Sequence, residues 1–343
     1  MRAKSIPQTV RFAGGAPDAD ALDWGGTHRP ADSGGPLEQP AYLSLISSGI
    51  LEQRIAAAQA HLAACDLCPR SCGVDRIAGQ FGTCATGRHA ILASAGPHFG
   101  EERPLVGQGG SGTIFVAGCN LGCSFCQNAE ISHDKLGREV TADEWADRML
   151  ALQAAGCHNI NIVTPSHVVP ALLEALAVAA RGGLQLPLVY NSGGYDSVET
   201  LRLLEDVVDI YMPDFKFWDG AVAERYCGAR DYPERAREAL REMHRQVGDL
   251  TLDEAGVAVR GLLVRHLVLP EGLAGTEGLC GFLSVEISPQ TYLNIMDQYY
   301  PAGRTAELGP LGRRITRAEH EEAIDAARAA GLDRLDPRAH FRA

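Results

Sequence analysis

From Thr113 onward, hydrophobic and polar positions fall into a repeated alternation. Short β-branched runs, the mark of buried parallel strands, are each followed by a stretch with the spacing of an amphipathic helix. "TIFVAG" (113–118), "NINIV" (159–163), "PLVYN" (187–191) and "VVDIYMP" (207–213) predict four strands. "VRGLLVRHLVLP" (259–270) and "TYLNIM" (291–296) predict the fifth and sixth. Between them, "TADEWADRMLALQAAG" (141–156) carries Thr141 and Glu144 at capping-box spacing, with Gly156 as terminator. "VVPALLEALAVAARGG" (168–183) and "YPERAREALREMHRQVG" (232–248) read as further helices, Asp196 and Glu199 mark another helix start, and a short helix lies near "TEGLCGFLSV" (276–285).

Strand-helix alternation of this kind implies parallel strands joined by right-handed crossovers. Six units are too few for an eight-stranded barrel. The expected fold is therefore α/β, a partial (βα)6 barrel with its chemistry at the C-terminal ends of the strands. A doubly wound sheet is the alternative that patterning leaves open.

Upstream, residues 1–38 are rich in Gly, Pro, Ala and Asp without a sustained apolar period and read as a flexible leader. "AYLSLISSGILEQRIAAAQAHLAA" (41–64) has helical spacing interrupted by Ser-Ser-Gly. The expected organisation is a helical, Cys-rich metal-binding segment over 39–105, the barrel over 106–305 and a helical extension over 306–343. "TRAEHEEAIDAARAAG" (316–331) is the extension's helix, with Thr316 and Glu319 as its capping box.

A chain of 343 residues with 45% apolar and 22% charged residues can bury a substantial core. Its net charge of −12 offers no basic footprint for phosphates, which argues against non-specific nucleic-acid binding. No run approaches the length of a membrane span and no signal peptide is evident, so the expected location is the cytoplasm. Ten cysteines in a reducing compartment point to metal or redox chemistry rather than structural disulfides.

"CNLGCSFCQN" places Cys119, Cys123 and Cys126 directly after the first predicted strand. Thiolates at this density suit an iron-sulfur cluster or zinc. Structural zinc wants four closed ligands, and the nearest further candidate, His133, is seven residues away. Three ligands on a four-iron cluster leave one iron open. A second group, Cys65, Cys68, Cys72 and Cys84, has Cys-x2-Cys-x3-Cys-x11-Cys spacing among Gly and Pro turns, as a closed metal site would. Zinc and an auxiliary [4Fe-4S] cluster both suit it. Cys157, Cys227 and Cys280 stand alone, and a small buried hydrophobe is their expected role.

The three-cysteine loop resembles the cluster-binding loop of the radical S-adenosylmethionine superfamily. That resemblance implies a [4Fe-4S] cluster on Cys119, Cys123 and Cys126 whose fourth iron is chelated by S-adenosylmethionine. Phe125 matches the aromatic position whose backbone lies near the adenine. Over about residues 65–305 the resemblance extends to the branch of the pyruvate formate-lyase activating enzyme and its uncharacterised relatives. "CNLGCSFCQN" is similar to that branch's "CNxxCxYCHN", with Gln127 where His is usual. "YNSGGYD" stands at its "DTNG" turn, which brings in Asn191 and Ser192, although either could be only a turn cap. "YMPDFKFWD" resembles its "MLDLK" strand and aligns Asp214 and Lys216 with residues near the cofactor carboxylate and ribose; a solvated ion pair is the plainer reading. "VRHLVLP" makes Arg265 the cofactor-side cation, with His266 expected on the opposite strand face. "SVEISPQTYLNIMDQYYP" is similar to the uncharacterised relatives. The branch's Gly-Gly-Glu after the second strand is replaced by "VTPSH", leaving Thr164, Ser166 and His167 where a carboxylate would hold the methionyl amine.

The implied activity is reductive cleavage of S-adenosylmethionine and hydrogen abstraction from a small-molecule or protein substrate, glycyl-radical activation being one version. No conventional acid-base residue is required. A flavodoxin or ferredoxin is the expected electron donor, with no nucleic-acid or membrane partner. The rival reading is a non-enzymatic iron-sulfur or zinc protein for electron transfer or redox sensing.

Overall fold

A computed structural model describes residues 10–11, 39–303 and 309–337. The expected leader lies outside the described residues except for strand β1 (Val10–Arg11), which pairs antiparallel with β2 (Ile91–His98). The helical stretch predicted at 41–64 is α1 (Tyr42–Ser47) and α2 (Ile50–Ala60), broken at Ser48-Gly49. Turns and bends fill 61–90 and carry the first cysteine group. β2 is an addition to the predicted elements. Its side chains alternate in burial, yet in "ILASAGPH" small Ala, Ser and Gly blur that alternation in the sequence. It runs antiparallel to β3 (Ser111–Val116), so a strand from the 39–105 segment joins the barrel's sheet. Between them, α3 (Arg103–Val106) is a single turn.

The chain then alternates through α4 (Ala129–Ser132), β4 (Arg138–Glu139), α5 (Ala142–Ala154), β5 (Ile160–Val163), α6 (Val169–Arg181) and β6 (Leu188–Ser192). It continues through α7 (Val198–Leu203), β7 (Ile210–Pro213), α8 (Gly220–Cys227), α9 (Tyr232–Val247), β8 (Thr251–Leu252), β9 (Ala258–Leu267), α10 (Thr276–Phe282), β10 (Tyr292–Met296) and α11 (Arg317–Ala329). Strands β3, β5, β6, β7, β9 and β10 are parallel and lie side by side in chain order. A doubly wound sheet reverses direction at a switch point. This one never does, so the open partial barrel is the architecture and the alternative is excluded. Both predicted capping boxes close, Thr141 with Glu144 and Thr316 with Glu319. The helix after β6 starts one residue later than expected, at Ser197, because Asp196 turns inward instead of capping.

Register neighbours in a parallel sheet share a face. Ile114, Ile162, Tyr190, Tyr211 and Leu262 form one such row, all buried in the main core with Trp145, Met149 and Leu173 from the surrounding helices. The opposite row, Thr113, Asn161, Val189 and Ile210, faces the barrel interior. There Val189, Ile210, Met212, Leu263 and Tyr292 form a second core closed by Leu105 of α3. Removing either row costs burial worth roughly 1.5–3 kcal/mol per large side chain. The interior row is the one that turns polar toward the strand ends.

Candidate active site

Cys119, Cys123 and Cys126 leave the C-terminal end of β3 in a tight loop, Cys123 buried and the other two half-buried. Hydrogen donors are turned on the sulfurs. The Leu121 N–H donates to Cys119 Sγ at 3.3 Å, and the Ser132 hydroxyl, on α4, to Cys126 Sγ at 3.1 Å. The Cys227 thiol lies 3.2 Å from Cys123 Sγ. Cys227 is buried in the main core, as expected of a small hydrophobe, and α8, absent from the predicted elements, delivers it to the loop as its last residue. Burial, reinforced by the neighbouring Cys123 sulfur, pushes the Cys119 thiol up to about 11. Such sulfurs become thiolates most readily when metal cations neutralise them. Among the described residues no three Cys, His, Asp or Glu side chains close in as one metal ion requires, and His133 does not join the three thiols in such a group. An all-sulfur, three-member donor set with donors on its sulfurs suits an iron-sulfur cluster.

Beside the loop, the predicted cofactor residues gather into one hydrogen-bonded group. Lys216 Nζ donates to Asp214 Oδ2 at 2.6 Å, and Arg265 Nε to Asp214 Oδ1 at 2.7 Å. Arg265 Nη2 reaches Asn191 Oδ1 at 2.8 Å. Asp214, Lys216 and Arg265 are each 17% exposed, so the solvated ion pair is excluded. Burial alone would raise the Asp214 carboxyl, but Arg265 and then Lys216 outweigh it and hold it at about 2. Gly194, at φ 76, lets the turn after β6 cross Asp214, whose carbonyl oxygen would stand 2.5 Å from an added Cβ. Phe125 is buried, its ring edge-on to Phe217 at 5.8 Å.

Other predicted residues do not join the group. Strand alternation turns Ser192 away from Asn191; its hydroxyl donates to Asp196 and accepts from the Gly194 N–H, which makes it a turn cap. Ser166 bonds Asp196 as well. His167 is buried, with Nε2 3.0 Å from the Ala117 carbonyl; burial holds it at about 4. Thr164 takes φ 66, the left-handed conformation that the glycines of the usual motif adopt at ease. His266 points opposite to Arg265, as expected, and bonds the Phe215 carbonyl and the Thr276 hydroxyl.

The structure adds residues that no motif announced. Glu101 Oε2 is 3.6 Å from Arg265 Nη1, and its Oε1 is 3.2 Å from His98 Nδ1. Asn294, on β10, donates to Glu102 Oε1, while Glu102 Oε2 is buried without a partner. Burial is the main reason the Glu102 carboxyl rises to about 7. Asn161 is fully buried with both side-chain amide atoms unpartnered. Asn161 and Asn294 each stand between two apolar strand residues, and that alternation was the available signal.

The four-cysteine segment packs against this loop. Cys65, Cys68, Cys72 and Cys84 line one small cavity together with Arg70, Arg76 and His167. Arg76 is 2% exposed and donates to the carbonyls of Gly87 and His167, with Cys65 Sγ at 3.7 Å. Arg70, within the cysteine spacing, donates from Nε to the Asn120 carbonyl at 2.8 Å and from Nη2 to those of Leu121 and Cys227. Its guanidinium lies over the Tyr195 ring at 5.3 Å. Gly118, at φ 82, permits the contact, since an added Cβ would meet the Cys84 carbonyl oxygen at 2.7 Å.

Residues 113–255 match the model of the Radical SAM superfamily. A domain of that superfamily implies an enzyme that uses a [4Fe-4S] cluster and S-adenosylmethionine. The chain is 29% identical over 299 residues to an uncharacterized protein of Methanocaldococcus jannaschii, spanning 85% of this chain and 82% of that one. It is also similar to the solved structure described as native anSMEcpe with bound AdoMet, at TM-score 0.43 and 8% identity. That match covers 62% of this chain and 57% of the other. Among the described residues no helix is long and apolar enough to cross a membrane.

Proposed function

We propose that the enzyme binds its cluster through Cys119, Cys123 and Cys126 and its S-adenosylmethionine along Asp214, Lys216, Arg265 and Asn191, and abstracts hydrogen from a polar substrate. When bound, the two cofactors supply one-electron cleavage of a sulfonium carbon-sulfur bond and a 5′-deoxyadenosyl radical. The observation that carries this reading is the adjacency of thiols and charged group: the Cys227 contact and burial raise the Cys123 thiol, burial raises the Cys126 thiol, and Lys216 stands near enough to oppose both.

Each residue then has a task. Asp214 stays ionised and fixes the two cations, so Lys216 and Arg265 offer oriented positive charge to a carboxylate. Phe125 excludes water at the loop's back. Asn161 and Glu102, buried with unmet hydrogen-bonding capacity, favour a substrate rich in donors. The substrate is a small molecule or a protein, glycyl-radical activation remaining one version, and a flavodoxin or ferredoxin supplies the electron. The four remaining thiols, Cys65, Cys68, Cys72 and Cys84, hold zinc or an auxiliary cluster. We place the enzyme in the cytoplasm, without nucleic-acid or membrane partners. A carrier of electrons alone has no use for a polar interior row.

Anaerobic reconstitution with iron and sulfide, reduction with dithionite and addition of S-adenosylmethionine should yield 5′-deoxyadenosine, and Cys123→Ala should yield none. A loaded, reduced protein that forms no product and whose EPR spectrum ignores S-adenosylmethionine would sink the proposal and favour electron transfer.

A further inference from the structure

Cys227 is 104 residues from Cys123 in sequence, yet its sulfur is 3.2 Å away. The approach is built in by three contacts. The Ser124 N–H, next to Cys123, donates to the carbonyl of Tyr226, next to Cys227, at 2.8 Å. Arg70 holds the Leu121 and Cys227 carbonyls with one nitrogen. Both thiols are buried, Cys123 at 8% and Cys227 at 6% exposure. Meanwhile Cys119 and Cys126 accept from Leu121 and Ser132, so among the three loop thiols Cys123 is the one set against another sulfur by a direct contact. A disulfide bond is about 2.05 Å long, so closure needs an approach of roughly 1 Å, within reach of side-chain rotation.

We propose that Cys227 is the oxidation partner of Cys123: when the cluster is absent, peroxide converts the pair to an internal disulfide that a dithiol reopens. The reaction balances with hydrogen peroxide alone. Peroxide oxidises the Cys123 sulfur to a sulfenic acid, its O–O bond breaking and one water leaving. The Cys227 sulfur then attacks, forming the S–S bond and releasing the second water. Two thiols lose two electrons and two protons, and both oxygens end as water. The consequence is protection, because a sulfenic acid captured at once does not proceed to the irreversible sulfinic acid. The proposal rests on Cys123 being a cluster ligand for its biological meaning, but the chemistry needs only the apo chain.

The test uses the full chain, purified without iron, reduced, desalted and treated with hydrogen peroxide, followed by alkylation and tandem mass spectrometry of peptides. Cys123 should be found joined to Cys227 as the main crosslink, given sulfurs already near bonding range. Dithiothreitol should restore free thiols and the capacity to take up iron and sulfide. The crosslink should persist in Cys119→Ser/Cys126→Ser protein, while in Cys227→Ser protein Cys123 should progress to sulfinic acid and dithiothreitol should no longer restore uptake. Finding Cys227 alkylated throughout, with Cys123 joined to Cys119 or Cys126 or present as sulfinate in the unsubstituted chain, would overturn the proposal. Iron content and absorbance of unchallenged, reconstituted protein are measured separately: a crosslink without a cluster sinks the ligand reading, and a cluster without a crosslink sinks this one.

Discussion

The two cysteine groups use the same side chain in opposite surroundings. Cys119, Cys123 and Cys126 stand at a strand end beside partly exposed charges that a ligand can still reach. Cys65, Cys68, Cys72 and Cys84 line a cavity between turns, with Arg70 and Arg76 turned to backbone carbonyls around it. The first arrangement sets its thiols beside charged side chains, and the second sets them among arginines already bonded to the backbone. Thiol count alone does not distinguish these roles; what surrounds the sulfurs does.

The sharpest way to break this comparison is to delete one sulfur from each group. Cys123→Ala should reduce 5′-deoxyadenosine formation by more than about a thousandfold, since every part of the proposed chemistry depends on the cofactor. Cys68→Ala should chiefly lower the unfolding midpoint and leave detectable turnover in whatever protein remains folded. Equal losses of turnover per folded molecule would show that the second group takes part in the chemistry. Next in size, Asp214→Asn leaves the partly exposed Arg265 and Lys216 beside a neutral partner and should cost about 1.5–3 kcal/mol of stability by urea unfolding. S-adenosylmethionine binding, followed by calorimetry, should weaken with it, whereas Arg76→Met should leave that binding unchanged.

A smaller, pH-dependent effect separates the regions again. His167 borders the four-thiol cavity and His266 lies on β9 next to Arg265, and burial holds each at about 4. The unfolded chain binds protons to both from the ordinary value of 6.5 downward, while the folded chain stays neutral until about 4. Stability is therefore full above the unfolded value and falls as pH drops through that window, by on the order of 3 kcal/mol per histidine. His167→Gln and His266→Gln should each remove part of the slope of urea midpoint against pH. A slope unchanged in both variants would mean that neither side chain is buried neutral.

Much of this was legible in the chain. Six β-branched runs gave six parallel strands, because strands covered on both faces must be apolar nearly throughout. Thiol spacing located both cysteine groups, and the resemblance of "YMPDFKFWD" and "VRHLVLP" to family segments pointed to Asp214, Lys216 and Arg265. β2 stayed hidden because its alternating residues are too small to carry a hydropathy signal. Glu101 and Glu102 follow no period; the fold carries them into the barrel. The burial of Cys227 was expected, but its contact with Cys123 was not, as a long-range neighbour leaves no local mark. Ser192 could not be told from Asn191 without knowing which faced inward. Sequence order of the strands, the feature that excludes a doubly wound sheet, is invisible to any local pattern.

Arg70 has a consequence for how the protein is made. Its acceptors include the carbonyls of Cys227 and Gly228, 157 and 158 residues downstream. At about 5–20 residues per second, a ribosome delivers those acceptors roughly 10–30 s after Arg70 itself. Throughout that interval the four-cysteine turn has been synthesised and its guanidinium waits, while the three-thiol loop lacks the brace that joins it to α8. The four-cysteine turn is thus complete long before its arginine can tie the three-thiol loop to α8, and that tie is among the last contacts of the region to close.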